Sequence, residues 1–482
     1  MSSSNPYART EAEVREPPHT LRDTLPYFGP GLIVVASIVG SGELITTTAL
    51  GAQVGFACLW LVLLSCLTKT IMMEELGRFT ISSGQTCLDA FNQLPGPRRR
   101  VGWFIYVWVA SQLPNIICGG AIIGGVGQLL QVARPLDRSL GLGGDMQWAV
   151  LVFVATMVLL QSGRYRLVEW ACAAMVLVFS VATVICAVAL QWTPYAVTWE
   201  EIIGGLKFQM PSGSIVLALG AYGGTGTTPN ECIAYTYWCI EKGYARFAGR
   251  PDDSEAWRQR ALGWIRVMQL DVLNVMAIFT VATIAFYFLG AAVLKPMLAS
   301  GEIVLSPGLS KIDGPTTMQS LSHVYTRTLG DWAKWLFLSG GFCVLYSTVV
   351  SGWSAGGRAW SDMLGVLGLI DTSDFTKRLR WMRIFNVVLP TITTISYLLS
   401  GNIVVLLAIG GTVGTLMTPV VALSTLYLRR HRTDPRIAPT FRGDAVLYGS
   451  VVLMVIITPL ALYYGSEDLL KLWRQLTNST AR

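Results

Sequence analysis

Charge is what this 482-residue chain has least of: Asp, Glu, Lys and Arg together make 13%, where soluble domains carry about 25%. Histidine is scarcer still, with three residues, His19, His323 and His431, all outside the apolar stretches. The nine cysteines are scattered and contain no Cys-x-x-Cys pair. These shortages exclude a soluble multidomain enzyme, a disulfide framework and a histidine-built zinc site. There is no HExxH, no Ser/His/Asp constellation and no GxxxxGK[ST] loop, so no enzyme and no cofactor is expected. The run GAIIGGVGQ at 120–128 spaces its glycines like a nucleotide motif. It lies inside an apolar stretch with no strand before it, which reads as close helix packing.

What is present is oil. Hydrophobic residues make 52% of the chain, and a bilayer crossing needs about 20 of them in a row. Eleven stretches qualify, near 27–50, 55–76, 101–129, 146–163, 167–190, 213–240, 264–290, 332–356, 382–400, 402–427 and 444–465. The fold expected is an all-α membrane protein with about 11 transmembrane helices. A polar tail, 1–26, precedes the transmembrane domain, 27–465, and a second tail, 466–482, follows it. The first tail reads as cytoplasmic rather than as a targeting peptide. Basic residues cluster in alternate loops: GPRRR at 96–100, GRYR at 163–166, KGYARFAGR at 242–250, TKRLR at 376–380 and LRRHR at 428–432. By the positive-inside rule these loops and the N-terminus are cytoplasmic. A plasma (inner) membrane location follows, with the lipid bilayer as partner. The cations sit in short connectors rather than on one folded face, so nucleic acid is not an expected partner.

Two spans are interrupted. The first holds GSGE at 40–43 and the sixth holds YGGTGTTPNE at 222–231. The interruptions lie five spans apart, so two inverted five-helix repeats are expected, about 27–190 and 213–427, with an extra helix at about 444–465. Paired broken helices point to a secondary transporter's midplane site. Unwound backbone survives in a membrane only where it is buried in protein or lines a wet cavity. Glu43 and Glu231 add a carboxylate to each break, at about 2.5–3.5 kcal/mol apiece for a helix centre. Each needs a partner: a cation, a proton or a basic side chain.

The stretch GPGLIVVASIVGSGELITTTALGAQVGFACLW resembles the first span and following turn of the NRAMP family of divalent-metal transporters. LLQSGRYRLVEWACAAMVLV, GGTGTTPNE, LDVLNVMAIFTVA and LYSTVVSGWSAGGRAWSDML resemble later family segments in the right order, over roughly 25–465. The resemblance implies a leucine-transporter-like fold with broken helices 1 and 6, alternating access and a monomer. Spans one, two, six and seven would rock against three, four, eight and nine.

The site departs from the family pattern. Gly40-Ser41-Gly42-Glu43 stands where the family has Asp-Pro-Gly-Asn, and Thr228-Pro229-Asn230 where it has Met-Pro-His. The third span lacks the acids that the family uses to move protons. What remains is a set of oxygens suited to Mg²⁺ or Mn²⁺, and relatives with altered sites carry magnesium. The candidate substrate-binding residues are Gly40, Ser41, Glu43, Thr225, Thr228, Asn230 and Glu231, with Glu43, Asn230 and Glu231 as metal ligands. A proton is a further candidate partner. The alternative is an amino acid or other small organic or anionic solute, its carboxylate held by the Gly-Ser-Gly backbone.

Further polar residues are candidates for coupling or gating. Lys69 is expected to turn inward and neutralise Glu43 or Glu74. Glu74 and Glu75 are expected in solvent at the end of span two. Arg266, Asp271 and Asn274 suggest a polar lock in span seven, and Gly411 and Thr412 close packing or cavity lining in span ten. Arg358 and Glu169 flank cytoplasmic ends, where they pair or snorkel. The connector at about 291–331 is expected to form a small cap with helix near 317–329.

Overall fold

A computed structural model of the chain describes residues 5–9, 13–28, 30–139, 141–161, 165–211, 214–302, 317–372, 374–439, 441, 443–459 and 463. The C-terminal tail at 466–482 and the middle of the 291–331 connector lie outside these, as does part of the 163–166 basic loop. Every expected span is found as helix. Span one is α1 (Pro30–Ile38) and α2 (Thr48–Val54). Spans two to five are α3 (Leu59–Ser83), α4 (Trp103–Ala133), α5 (Gly144–Gln161) and α6 (Tyr165–Ala189). Span six is α7 (Ile215–Gly224) and α8 (Pro229–Lys242), and span seven is α9 (Glu255–Leu289). After the connector come α10 (Thr317–Leu329), then α11 (Ala333–Val366), α12 (Phe375–Ser400), α13 (Ile403–His431) and α14 (Gly443–Pro459). The expected cap helix is α10. Seven of the described helices are long and apolar enough to cross a membrane on their own, and the interrupted spans reach that length only as pairs of pieces.

Local signals fix the ends. Ser254 Oγ accepts the Trp257 N–H at the start of α9, and Asn402 Oδ1 accepts the Val404 and Val405 N–H groups at the start of α13. Such caps satisfy donors that a helix start leaves open. Gly401, with φ +66°, closes α12, a left-handed position that favours glycine.

α13 packs along α7 and α4, α3 lies against α8 and α9, and α11 holds α4, α6 and α12. The broken spans therefore meet in the middle of the bundle. Leu113, Val158, Val178 and Leu399 are exposed on α4, α5, α6 and α12, the faces that lipid would cover. The N-terminal segment is tied down rather than free. Arg246 pairs with Glu13 at 2.6 Å, Trp264 Nε1 donates to the Arg15 carbonyl at 3.0 Å, and Tyr7 Oη donates to Glu241 at 3.1 Å. Glu241, at the end of α8, also pairs with Arg358 of α11 at 2.7 Å and 2.9 Å. Arg358 therefore pairs as well as lying near the end of its helix. The Glu169 side chain lies outside the described residues.

Candidate functional site

The two breaks differ in form. Span one is interrupted briefly: α1 ends at Ile38, residues 39–40 leave the helix, and it resumes at Ser41. Val39 N–H still reaches the Val35 carbonyl and Leu44 N–H the Gly40 carbonyl, and a π-helical segment, Gly42–Thr47, leads into α2. The expected break is thus found, shorter than the one in span six, with the Gly40 N–H leaving the ladder for Glu43 Oε2. Its loose groups find side chains: the Ala36 carbonyl accepts from Ser347 Oγ at 2.9 Å, and the Gly42 carbonyl accepts from Thr47 Oγ1 at 2.9 Å. Span six opens further. Residues 225–228 leave the helix, Gly226 has φ +65°, and Pro229 opens α8.

Glu43 joins the two. Its Oε2 accepts the Gly40 N–H at 3.1 Å and its Oε1 accepts the Gly226 N–H at 2.8 Å, with no solvent exposure. Because the Gly226 N–H turns to Glu43, the carbonyls at the end of α7 need other donors. Lys69 supplies them: its Nζ donates to the Tyr222 and Thr225 carbonyls at 2.6 Å each. Ser65 Oγ reaches the same two oxygens at 3.0 Å and 2.9 Å. The expected direct pairing of Lys69 with Glu43 or Glu74 is therefore replaced by backbone capping. The reason is that a broken helix offers its own partial negative charge.

A cavity of about 240 Å³ opens beside these staples. Its polar wall is made by Ser37, Ser41, Gln112, Asn115, Thr228, Asn230 and Glu231, and Trp108, Trp353 and Trp360 line it as well. Cys118 and Met417 are the sulfur-bearing side chains on the wall. Glu231 does two things at once. Its Oε2 accepts the Thr228 N–H at 2.7 Å in a reciprocal cap with Thr228 Oγ1, while its Oε1 accepts from Ser37 Oγ at 3.2 Å. The cap pre-orients the carboxylate toward the cavity. Gln112 Nε2 donates to Asn230 Oδ1 at 3.0 Å.

Of the residues singled out in the sequence, Ser41, Thr228, Asn230, Glu231 and Gly411 line this cavity. Gly40, Glu43 and Thr225 lie behind its wall, where Thr225 Oγ1 meets Thr47 Oγ1 at 2.8 Å. Thr412 bonds its own helix at the Ala408 carbonyl and does not line the cavity. The suggested lock in span seven is not the arrangement found. Asp271 is buried and accepts the Gly31 N–H at 2.7 Å, capping α1, while Arg266 and Asn274 are exposed on the same helix. Glu74 is half-exposed and bonded to Arg78 and Gln269. Glu75 is not in solvent but buried between Arg78 and Arg429, at 3.2 Å and 3.3 Å. Reading single spans missed Ser37, Ser111, Gln112, Asn115 and Thr348, all on the cavity wall. The signal was the polar run SQLPN at 111–115 in an otherwise apolar span.

The model of the Nramp family, described as natural resistance-associated macrophage protein-like, matches residues 31–465. The chain belongs to the Nramp family. It is accordingly an integral, multi-pass membrane protein of a transporter family rather than an enzyme. Among similar proteins, an uncharacterised protein of Pasteurella multocida is 20% identical over 361 residues, 72% of each chain. The divalent metal cation transporter MntH of Deinococcus radiodurans is 26% identical over 273 residues, 56% of this chain and 58% of its own. MntH of Agrobacterium fabrum is 28% identical over 219 residues, 43% of this chain and 42% of its own. Each of these MntH alignments thus spans less than two thirds of the relative. Among solved structures, a histidine-to-alanine variant of the manganese transporter of Eremococcus coleocola superposes with a TM-score of 0.65. The identity is 15%, over 98% of this chain and 96% of the other, a likeness of fold alone. Within the Nramp frame, the breaks of this chain hold their own buried carboxylate and ammonium.

Proposed function

We propose that this Nramp protein is a secondary-type carrier of a hard divalent cation, Mg²⁺ or Mn²⁺, worked by alternating access around the cavity. Glu231 is the carboxylate that meets the ion, with Asn230, Gln112 and the hydroxyls of Ser37 and Ser41 around it. The observation that carries this reading is the division of labour between the two acids. Glu43 has both oxygens engaged by backbone N–H groups and does not line the cavity, whereas Glu231 lines it, with one oxygen on the Thr228 N–H and the other on the Ser37 hydroxyl. Oxygen and amide donors suit hard cations. Among the described residues no group of three or more His, Cys, Asp and Glu gathers at metal-holding range. The ion is therefore carried with much of its water, as Mg²⁺ prefers. Family membership and the MntH relatives support a divalent cation. The nest reading for an amino-acid carboxylate is weakened, because the Gly40 N–H of Gly-Ser-Gly is already taken by Glu43, and the Thr225, Gly226 and Thr228 N–H groups of the other break have acceptors too.

One observation favours a second reading, a small organic solute. Trp108, Trp353 and Trp360 all line the cavity, so a solute with a flat face would find aromatic surface to pack against. Flux into proteoliposomes with Mg²⁺, Mn²⁺, Ca²⁺ and a panel of amino acids separates the two. The cation reading expects saturable divalent uptake, and the internal pH trace reports whether a proton travels with it. Uptake and counterflow of an amino acid without divalent flux would reject it.

A further inference from the structure

We propose that the Lys69 ammonium is a built-in cation, occupying for good the place that a dissociable monovalent ion takes at the broken helix of other carriers. The inference rests on the reading of the two breaks as the transport centre. In carriers of this general design, free carbonyls at the end of a half-helix coordinate a coupling ion, while free N–H groups at the next hold an anionic group. Here both roles are filled from within the chain. Glu43 takes the Gly40 and Gly226 N–H groups, and Lys69 takes the Tyr222 and Thr225 carbonyls at 2.6 Å each. The Lys69 Nζ lies 5.3 Å from the Tyr222 ring centroid, a further cation-binding feature. The side chain is fully buried, and the donors aimed at those oxygens are Lys69 and Ser65 alone among the described residues. Buried ammonium ions persist only when paired or fully bonded, and three converging acceptors, two carbonyls and a π-face, meet that need.

An ammonium tethered to α3 cannot leave. The break in span six is thus held in its cation-bound geometry throughout the cycle, and no monovalent ion is needed to assemble it. Cutting the side chain back should expose an empty cage of carbonyls. Lys69→Ala protein, purified and melted in N-methylglucamine chloride, is expected to unfold roughly 5 °C or more below the wild type. Sodium or methylammonium chloride at equal ionic strength should restore about half of that loss by filling the cage. Lys69→Met keeps the packing of the stem and fills the cage with a methyl group, so it should be destabilised and gain nothing from either salt. The wild type should melt alike in all three salts. The proposal is overturned by a Lys69→Ala protein equally unstable in every salt, or by Lys69→Met protein that melts like the wild type. A sodium-specific rise in the wild type overturns it without any variant having to fold. The melts are run without substrate, so failure of divalent flux would sink the cation reading and leave this inference standing.

Discussion

The two interrupted spans carry similar glycine signals and resolve them to different extents. Span one has Gly40 and Gly42 and breaks only at 39–40, then runs on through a π-helical segment from Gly42 to Thr47. Span six has Gly223, Gly224 and Gly226 and opens fully at 225–228. The difference lies in where each finds partners for its backbone. Span one has Thr47, Thr48, Ser347 and Thr348 within reach of its loose carbonyls, at 2.9 to 3.3 Å, so a short gap suffices. Span six has Pro229, which prevents closure, and two buried charges that stabilise the open form. Glycine marks where a helix is weak, and its tertiary surroundings decide how far it opens.

Glu43 is where the comparison breaks most easily, because it serves both spans. Glu43→Ala leaves the Gly40 and Gly226 N–H groups buried without acceptors, at about 3–5 kcal/mol. Thermal unfolding in detergent should show a large loss, and an unchanged melt would remove the staple from the account. Gly42→Ala comes next. A Cβ there would fall on the Gly224 carbonyl oxygen, backbone against backbone, so the spans must part at about 2–3 kcal/mol. Gly40→Ala meets the Thr348 hydroxyl instead, a side chain that can turn, and should cost about 1 kcal/mol. If the two variants melt alike, the close approach at Gly42 is not the tighter one. Thr47→Val removes a hydroxyl that bonds the Gly42 carbonyl and Thr225 and should cost about 1 kcal/mol. Faster amide exchange around Gly42 would place that loss in the π-helical segment.

Much of the frame is legible without coordinates. All eleven spans, both interruptions and the cap helix at 317–329 can be read from hydropathy, glycine and proline, because each is local in the chain. The partners of the buried charges are not local. Nothing in LLSCLTKTIMMEELG says that Lys69 would meet carbonyls of residues 222 and 225, since that depends on how α3 packs against the end of α7. Glu75 looks like an end-of-helix acid until Arg429, far along the chain, is found beside it. Asp271, Arg266 and Asn274 look like a cluster in sequence, but the turn of α9 buries the first and exposes the others. Gln112 is visible in SQLPN, but an uncharged amide in a span signals less than a buried acid does. The two glutamates were legible as a pair, and their unequal roles were not.

That inequality is most directly tested by comparing Glu231→Gln with Glu43→Gln for Mn²⁺ and Mg²⁺ flux in proteoliposomes and for melting temperature. Glutamine can keep the reciprocal cap at Thr228, so Glu231→Gln should melt within about 1 kcal/mol of the wild type and lose divalent flux. Glu43→Gln should lose stability, because an amide nitrogen must then face a backbone N–H. Full divalent flux through Glu231→Gln, or a Glu43→Gln protein as stable as the wild type, would contradict the account.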